Sequence, residues 1–190
     1  MCECPLRKSS SICESGLVSG TTRCGRRNCA TLNVRPVRPE DESLYPPFLS
    51  RVSQDDLRLR FFAPVKEFGH AFIARFTQLD YARAVAFIAI DEATGEMIGV
   101  GRLHANSTYD TAEFAVLVRS DFKGHGLGWL LMRRVIDYAK EKGLRRVYGD
   151  VLVENTTMLQ MCAELGFNEE DLGSGLRRVV LDLENTADAH

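Results

Sequence analysis

Residues Glu113–Gly143, EFAVLVRSDFKGHGLGWLLMRRVIDYAKEKG, decide how the rest of the chain is read. An apolar run that suits a strand gives way to a short polar turn and to glycines at alternate positions, Gly124, Gly126 and Gly128. A long stretch with apolar residues at helical spacing follows. Glycines between a strand and a helix let backbone approach a phosphate, and the first N–H groups of the helix then point at the anion with the helix dipole behind them. A nucleoside triphosphatase loop needs Gly, four residues, then Gly-Lys-Ser or Gly-Lys-Thr, and the chain has no such run. A dinucleotide fingerprint needs Gly-x-Gly-x-x-Gly directly after the strand and an acidic residue about 20 positions on. Asp150 stands at a suitable distance, but Trp129 takes the place of the third glycine and Arg119 to Lys123 separate the strand from the glycines. What stays open is a pyrophosphate cradle of another kind, or an ordinary glycine-rich turn.

With 190 residues, 45% hydrophobic and 26% charged, the chain fits one globular domain with a full core. A net charge of -2 and a pI near 6.1 give no basic face for nucleic acid. No apolar run approaches the roughly 20 residues that cross a bilayer, and no signal-type segment opens the chain, so a cytoplasmic protein without membrane or nucleic-acid partners is expected. Cysteine is lopsided: Cys2, Cys4, Cys13, Cys24 and Cys29 crowd the first thirty residues and Cys162 stands alone. Residues 1–32, rich in Cys, Ser and Arg, lack periodicity and read as a flexible tail. Their spacing does not match a familiar zinc knuckle. His70, His104, His125 and His190 are scattered, so no metal site is expected.

From Asn33 the chain is patterned. A short edge strand stops at Pro36 and Pro39, and a helix follows whose first turn carries Glu40, Asp41 and Glu42. QDDLRLRFF and KEFGHAFIARFTQLD read as helices. Two apolar runs around the turn at Gly95 read as a hairpin. Then come the strand TAEFAVLVRS, a helix from Gly126 to Lys142, the strand RRVYGDVL, a helix over Thr156 to Leu165 stopped by Gly166, and a strand in LRRVVLDLE. This order predicts an α/β (α+β) fold: a mixed, mostly antiparallel sheet flanked by helices, spanning 33–184, with 185–190 as a C-terminal tail.

Lys123 to Gly128 resembles the pyrophosphate loop of GNAT acetyltransferases, in which a leading Gln or Arg is followed by two residues, Gly, one residue, and Gly or Ala. Here Lys123 replaces the leading residue. ENTTMLQMCAELGF, Glu154 to Phe167, resembles the second signature of that family. From Asn33 to about Leu183, and in RPVRPEDE, RLRFF and AEFAVLVRSDFKGHGLG, the chain is similar to the acetyltransferase domain of Pat-type protein lysine acetyltransferases. The resemblance implies acetyl-CoA as co-substrate, held by Lys123, Gly124, His125, Gly126, Leu127 and Gly128. It implies further that the backbone of Val116 and Val118 pairs with the pantetheine arm, and that Val116 N–H polarises the thioester carbonyl. Asn155 either caps its helix or bonds the pantetheine.

Glu113, in an otherwise apolar strand, is the candidate base, and partial burial there would suit it for proton abstraction; the alternative is an exposed edge-strand carboxylate that strand alternation puts in water. It also lies where the resemblance places a catalytic glutamate. The tyrosine with which many GNAT enzymes protonate the leaving thiolate is replaced by Cys162, either a substitute acid or a small core residue. Arg133, Arg134, Arg145 and Arg146 are most simply solvated, with one member available to the coenzyme's ribose phosphate. The expected acceptor is protein lysine. A small amine, or a non-catalytic acyl-CoA-binding role, is the alternative. The oligomeric state is not readable from the sequence.

Overall fold

The computed structural model describes residues 20–23, 31–63, 68–80 and 82–183. The five cysteines of the N-terminal segment lie outside them, as do the expected tail at 185–190 and the possibility of a cysteine-held metal. The strands are β1 (Gly20–Arg23), β2 (Thr31–Pro36), β3 (Ala84–Asp91), β4 (Met97–Ala105), β5 (Thr111–Val118), β6 (Arg146–Leu152), β7 (Asn168–Gly173) and β8 (Leu176–Asp182). The helices are α1 (Tyr45–Ser50), α2 (Gln54–Phe61), α3 (His70–Thr77), α4 (Leu127–Glu141) and α5 (Thr156–Glu164). One sheet runs β1-β2-β3-β4-β5-β6-β8-β7, antiparallel except where β5 meets β6. That is the mixed, mostly antiparallel sheet the patterning predicts.

Two strands depart from expectation. Gly20–Arg23, within the segment read as a tail, pairs with Thr31–Val34, so the sheet starts before Asn33 and β2 is flanked on both sides over those residues. In β7 every residue of NEEDLG is exposed, so the alternation that betrays a half-buried strand is absent. Only its pairing with β8 makes it a strand. The acidic turn after Pro39 also differs, since it is a 3-10 turn (Pro39–Leu44) ahead of α1. There the buried Asp41 takes two bonds from Arg35 at 2.6 Å and one from Arg38 N–H at 2.7 Å. Burial alone would raise this carboxyl, but Arg35 and Arg38 hold it below the usual range.

The sheet divides the core. On one face α4 lays Leu127, Leu131, Met132, Val135 and Ile136 against Phe87, Val116, Val118 and Val147, and α5 adds Met161 and Cys162. On the other, α1 to α3 bring Tyr45, Phe48, Leu49, Leu57 and Ile73 onto Ala86, Ile88 and Leu117. This second face is covered only in part. Beyond Leu117, the strands β4, β5, β6 and β8 carry His104, Glu113, Tyr148, Asp150 and Arg178.

Candidate active site

The site begins where two strands part. β5 pairs with β4 along its whole length but with β6 only at Thr111, Ala112 and Glu113. Beyond that, β6 pairs with β8 alone. The Phe114 ring packs over Gly149 of β6: a Cβ added there would sit 2.7 Å from the ring, which occupies the space a side chain would need. Phe167 meets the same ring edge-on at 5.5 Å. Arg119 N–H bonds the Ile98 carbonyl and Asn106 N–H bonds the Thr111 carbonyl, so odd-numbered residues of β5 turn their backbone groups toward β4. By strand alternation Val116 and Val118 turn their N–H and C=O toward the gap, while their side chains stay buried under α4.

At the end of β5 the chain enters the glycine loop. Gly124 and Gly126 have φ of +75° and +83°, a left-handed conformation that a side chain disfavours. Gly126 is the N-cap of α4, and no side chain caps that terminus. The N–H groups of the first turn, Leu127 and Gly128 among them, have no helical acceptor and carry the positive end of the dipole. A Cβ at Gly128 would find its nearest atom 3.9 Å away, on Met161, so the space above it is open. An uncapped helix end with open space beside two left-handed glycines suits a pyrophosphate. His125 is exposed on this loop.

The loop is braced from beneath by side chains distant from it in sequence. The ammonium of Lys123, the leading residue of the motif, pairs with Asp56 of α2. Ser120 Oγ donates to the same carboxylate at 2.6 Å and accepts from Ser53 N–H at 2.8 Å. Burial would raise the Asp56 carboxyl, but hydrogen bonds from Lys123, Ser120 and Ser53 hold it below its ordinary value. Arg119, its side chain 7% exposed, donates to Asp121 at 2.7 Å and to Glu96 at 2.8 Å. A strand-to-helix turn read in isolation shows neither set of partners.

Glu113 closes the paired part of β5, level with His104 of β4 and Tyr148 of β6, on the partly covered face. The partial burial expected for it is not found, because its side chain is exposed: strand alternation turns it away from the core that takes Ala112 and Phe114. Arg60 of α2 and Arg102 of β4 lie close enough for its charge to act on both. Arg102 stands opposite Ala115, two residues along the same face.

Other expected site residues are placed differently. Cys162 is wholly buried in the core, and burial, with Glu169 nearby, pushes its thiol up to about 12. It packs in the core among Met161, Phe167 and Val151, the second of its two expected roles. The Asn155 side chain accepts from Met158 N–H at 3.2 Å, which makes it the N-cap of α5. Asp150, the residue a dinucleotide reading would need, is held by Arg178 at 2.7 and 2.9 Å. Arg133 stacks over Trp129, Arg134 over Phe87, and Arg146 pairs with Asp182. Among the described residues no cluster of His, Cys, Asp or Glu could hold a metal, and no helix is long and apolar enough to cross a membrane.

A strand pair forced open beside an uncapped, glycine-led helix defines a coenzyme A-dependent acyltransferase architecture. The model of the acetyltransferase (GNAT) family matches residues 52–167, and the chain belongs to this family. It is 33% identical over 136 residues to the acetyltransferase PA5475 of Pseudomonas aeruginosa, an overlap of 70% of this chain and 73% of that one. It is 31% identical over 145 residues to the acetyltransferase Pat of Mycolicibacterium smegmatis, which covers 74% of this chain but 43% of Pat. The crystal structure of the GNAT domain of S. lividans PAT superposes with a TM-score of 0.76 at 29% identity, covering 83% of this chain and 93% of that domain. The protein is thus an acetyl-CoA-dependent N-acetyltransferase.

Proposed function

We propose that the protein transfers the acetyl group of acetyl-CoA to the side-chain amine of a protein lysine, by direct attack, with Glu113 as general base. One observation carries this reading. Glu113 sits at the last paired position of β5, on the partly covered face, just before the residues that turn their backbone into the gap. Similarity to Pat and to the PAT domain supports lysine as the acceptor.

Deprotonating a lysine ammonium with a pKa near 10.4 costs about 4.6 kcal/mol at pH 7, so a base beside it contributes directly to the rate. Glu113 takes that proton as the amine nitrogen forms its bond to the thioester carbon. Val116 N–H donates to the carbonyl oxygen as it gains charge, and Val118 holds the pantetheine arm as an added strand would. The C–S bond then breaks, and with Cys162 buried the thiolate takes its proton from water, which in turn takes the second proton released by the acylated nitrogen. Gly124, His125, Gly126, Leu127 and Gly128 hold the pyrophosphate, with Lys123 bracing the loop, and Asn155 fixes the start of α5 beside the gap.

A second reading, a non-catalytic acyl-CoA sensor, draws on the exposure of Glu113 and the burial of Cys162. Glu113→Gln separates the two. An enzyme using this base loses about a hundredfold or more in turnover, roughly 2.7 kcal/mol, while coenzyme A binding by calorimetry is unchanged. Unchanged turnover removes Glu113 from the mechanism, and no turnover in the unmutated protein favours the sensor. Incubation with labelled acetyl-CoA and a cytosolic extract identifies the acceptor class: label confined to small amines would sink the lysine assignment.

A further inference from the structure

The acceptor face carries more positive charge than an enzyme built for a cationic amine has reason to hold. Arg35, Arg51, Arg58, Arg119, Arg146 and Arg178 are each paired with a carboxylate. Arg60 and Arg102 have no ion pair or hydrogen bond among the described residues, and Arg102 Nε is buried without an acceptor. Both line one cleft, whose walls include Phe48, Phe61, Phe76 and Leu117. The Arg60 guanidinium lies over the Phe61 ring at 5.0 Å, which fixes its plane without neutralising it. Burial pushes Arg60 down to about 10, with Glu113 opposing and Arg102 adding to the shift. Burial also lowers Arg102, which feels Arg75 as a like charge and, in the opposite sense, Tyr45 and Glu113. Glu113 is thus the sole carboxylate acting on either residue among the described groups. A partly buried charge with no partner is costly, and two in one apolar cleft cost more, so an anion brought by a ligand would find a site already desolvated on its behalf.

We propose that Arg60 and Arg102 form a carboxylate subsite for the acceptor, so that the enzyme prefers an amine that also carries a carboxylate. Arg102 stands two residues along the same face from Glu113, opposite Ala115. Resting on the lysine reading, the substrate is a lysine with an acidic neighbour, and polyamines are disfavoured because their second charge meets the arginines. The guanidinium fork binds the carboxylate in a plane, which sets the direction from which the amine enters Glu113.

The test compares kcat/KM for two matched pairs, 6-aminohexanoate against hexylamine and a peptide lysine flanked by Asp and Glu against the same lysine flanked by Ala. The carboxylate-bearing member of each pair should lead by about tenfold or more, equivalent to about 1.4 kcal/mol. Arg60→Gln and Arg102→Gln should each bring both ratios close to one while coenzyme A binding, measured by calorimetry, persists. Arg60→Lys and Arg102→Lys keep the charge without the fork and should retain part of each ratio. Equal rates within both pairs, or ratios that survive both glutamine variants, overturn the subsite. Succinyl-CoA outrunning acetyl-CoA tenfold with no acceptor preference also overturns it, by assigning the arginines to the acyl donor. Turnover of the aminohexanoate pair alone, with the expected ratio, leaves the subsite standing and overturns the lysine reading. Turnover of both peptides at equal rates does the reverse.

Discussion

The glycine loop and the acceptor face share strand β5 but are built in opposite ways. The loop is six consecutive residues whose working parts are backbone N–H groups, two left-handed glycines and the end of α4. The acceptor face is assembled from side chains of α2, β4, β5 and β6, brought together only by the sheet. A site made of local backbone tolerates little change at its glycines, whereas a site made of distant side chains can change its ligand by single substitutions.

The sharpest way to break the loop is Gly126→Val. At φ +83° a β-branched residue is strained, and its methyl groups would occupy the anion's approach. Coenzyme A affinity should fall by about a hundredfold or more, roughly 2.7 kcal/mol by calorimetry, with the fold intact by circular dichroism. Affinity within a few fold of the original would mean that the loop does not hold the pyrophosphate.

Gly149→Ala strikes the hinge between the two regions. With Phe114 ring atoms 2.7 and 2.8 Å from the new Cβ, the ring must move, and chemical denaturation should report a loss of about 1–3 kcal/mol. A stability equal to the parent's would show that the splay of β5 and β6 does not rest on this contact.

Asp56→Asn tests the brace that ties the loop to α2. Freed from its partner, Lys123 should loosen the loop and raise the KM for acetyl-CoA about three- to tenfold with little change in kcat. The carboxyl is held below its ordinary value of 3.8 in the folded protein. Its contribution to stability is therefore complete above that value and is lost as pH falls through the lower folded one. An acid-denaturation midpoint that stays in place in Asp56→Asn would count against this linkage.

The smallest effect belongs to Cys162→Ala. Turnover per folded molecule should stay within about twofold, while stability drops by about 1 kcal/mol for the small cavity. A tenfold loss of kcat would restore the thiol as a proton donor.

Much of this was legible in the chain. Apart from the turn after Pro39 and strand β7, the order of strands and helices from Pro36 onward follows from periodicity, and the alternate glycines with the Leu165-Gly166-Phe167 ending point to a coenzyme site. Strand β7 was not legible because a strand exposed at every residue has no alternating signal. Glu113 was legible as a carboxylate in an apolar strand, but its exposure was not, because alternation leaves the face undecided until the core is known. Asp56 and Ser120 were invisible for a different reason. Sixty-four residues separate them, and nothing short of the fold predicts their bond.

By itself the sequence determined most of the elements, the glycines at Gly124, Gly126 and Gly128 and the family, because those rest on local backbone preference and on periodic burial. Only the tertiary structure decided that Lys123 pairs with Asp56, that Cys162 is core, and that Arg60 and Arg102 face one cleft without an ion-pair partner among the described residues. Charge and burial at a side chain depend on whatever the fold sets around it, and in this chain those neighbours come from distant parts of the sequence.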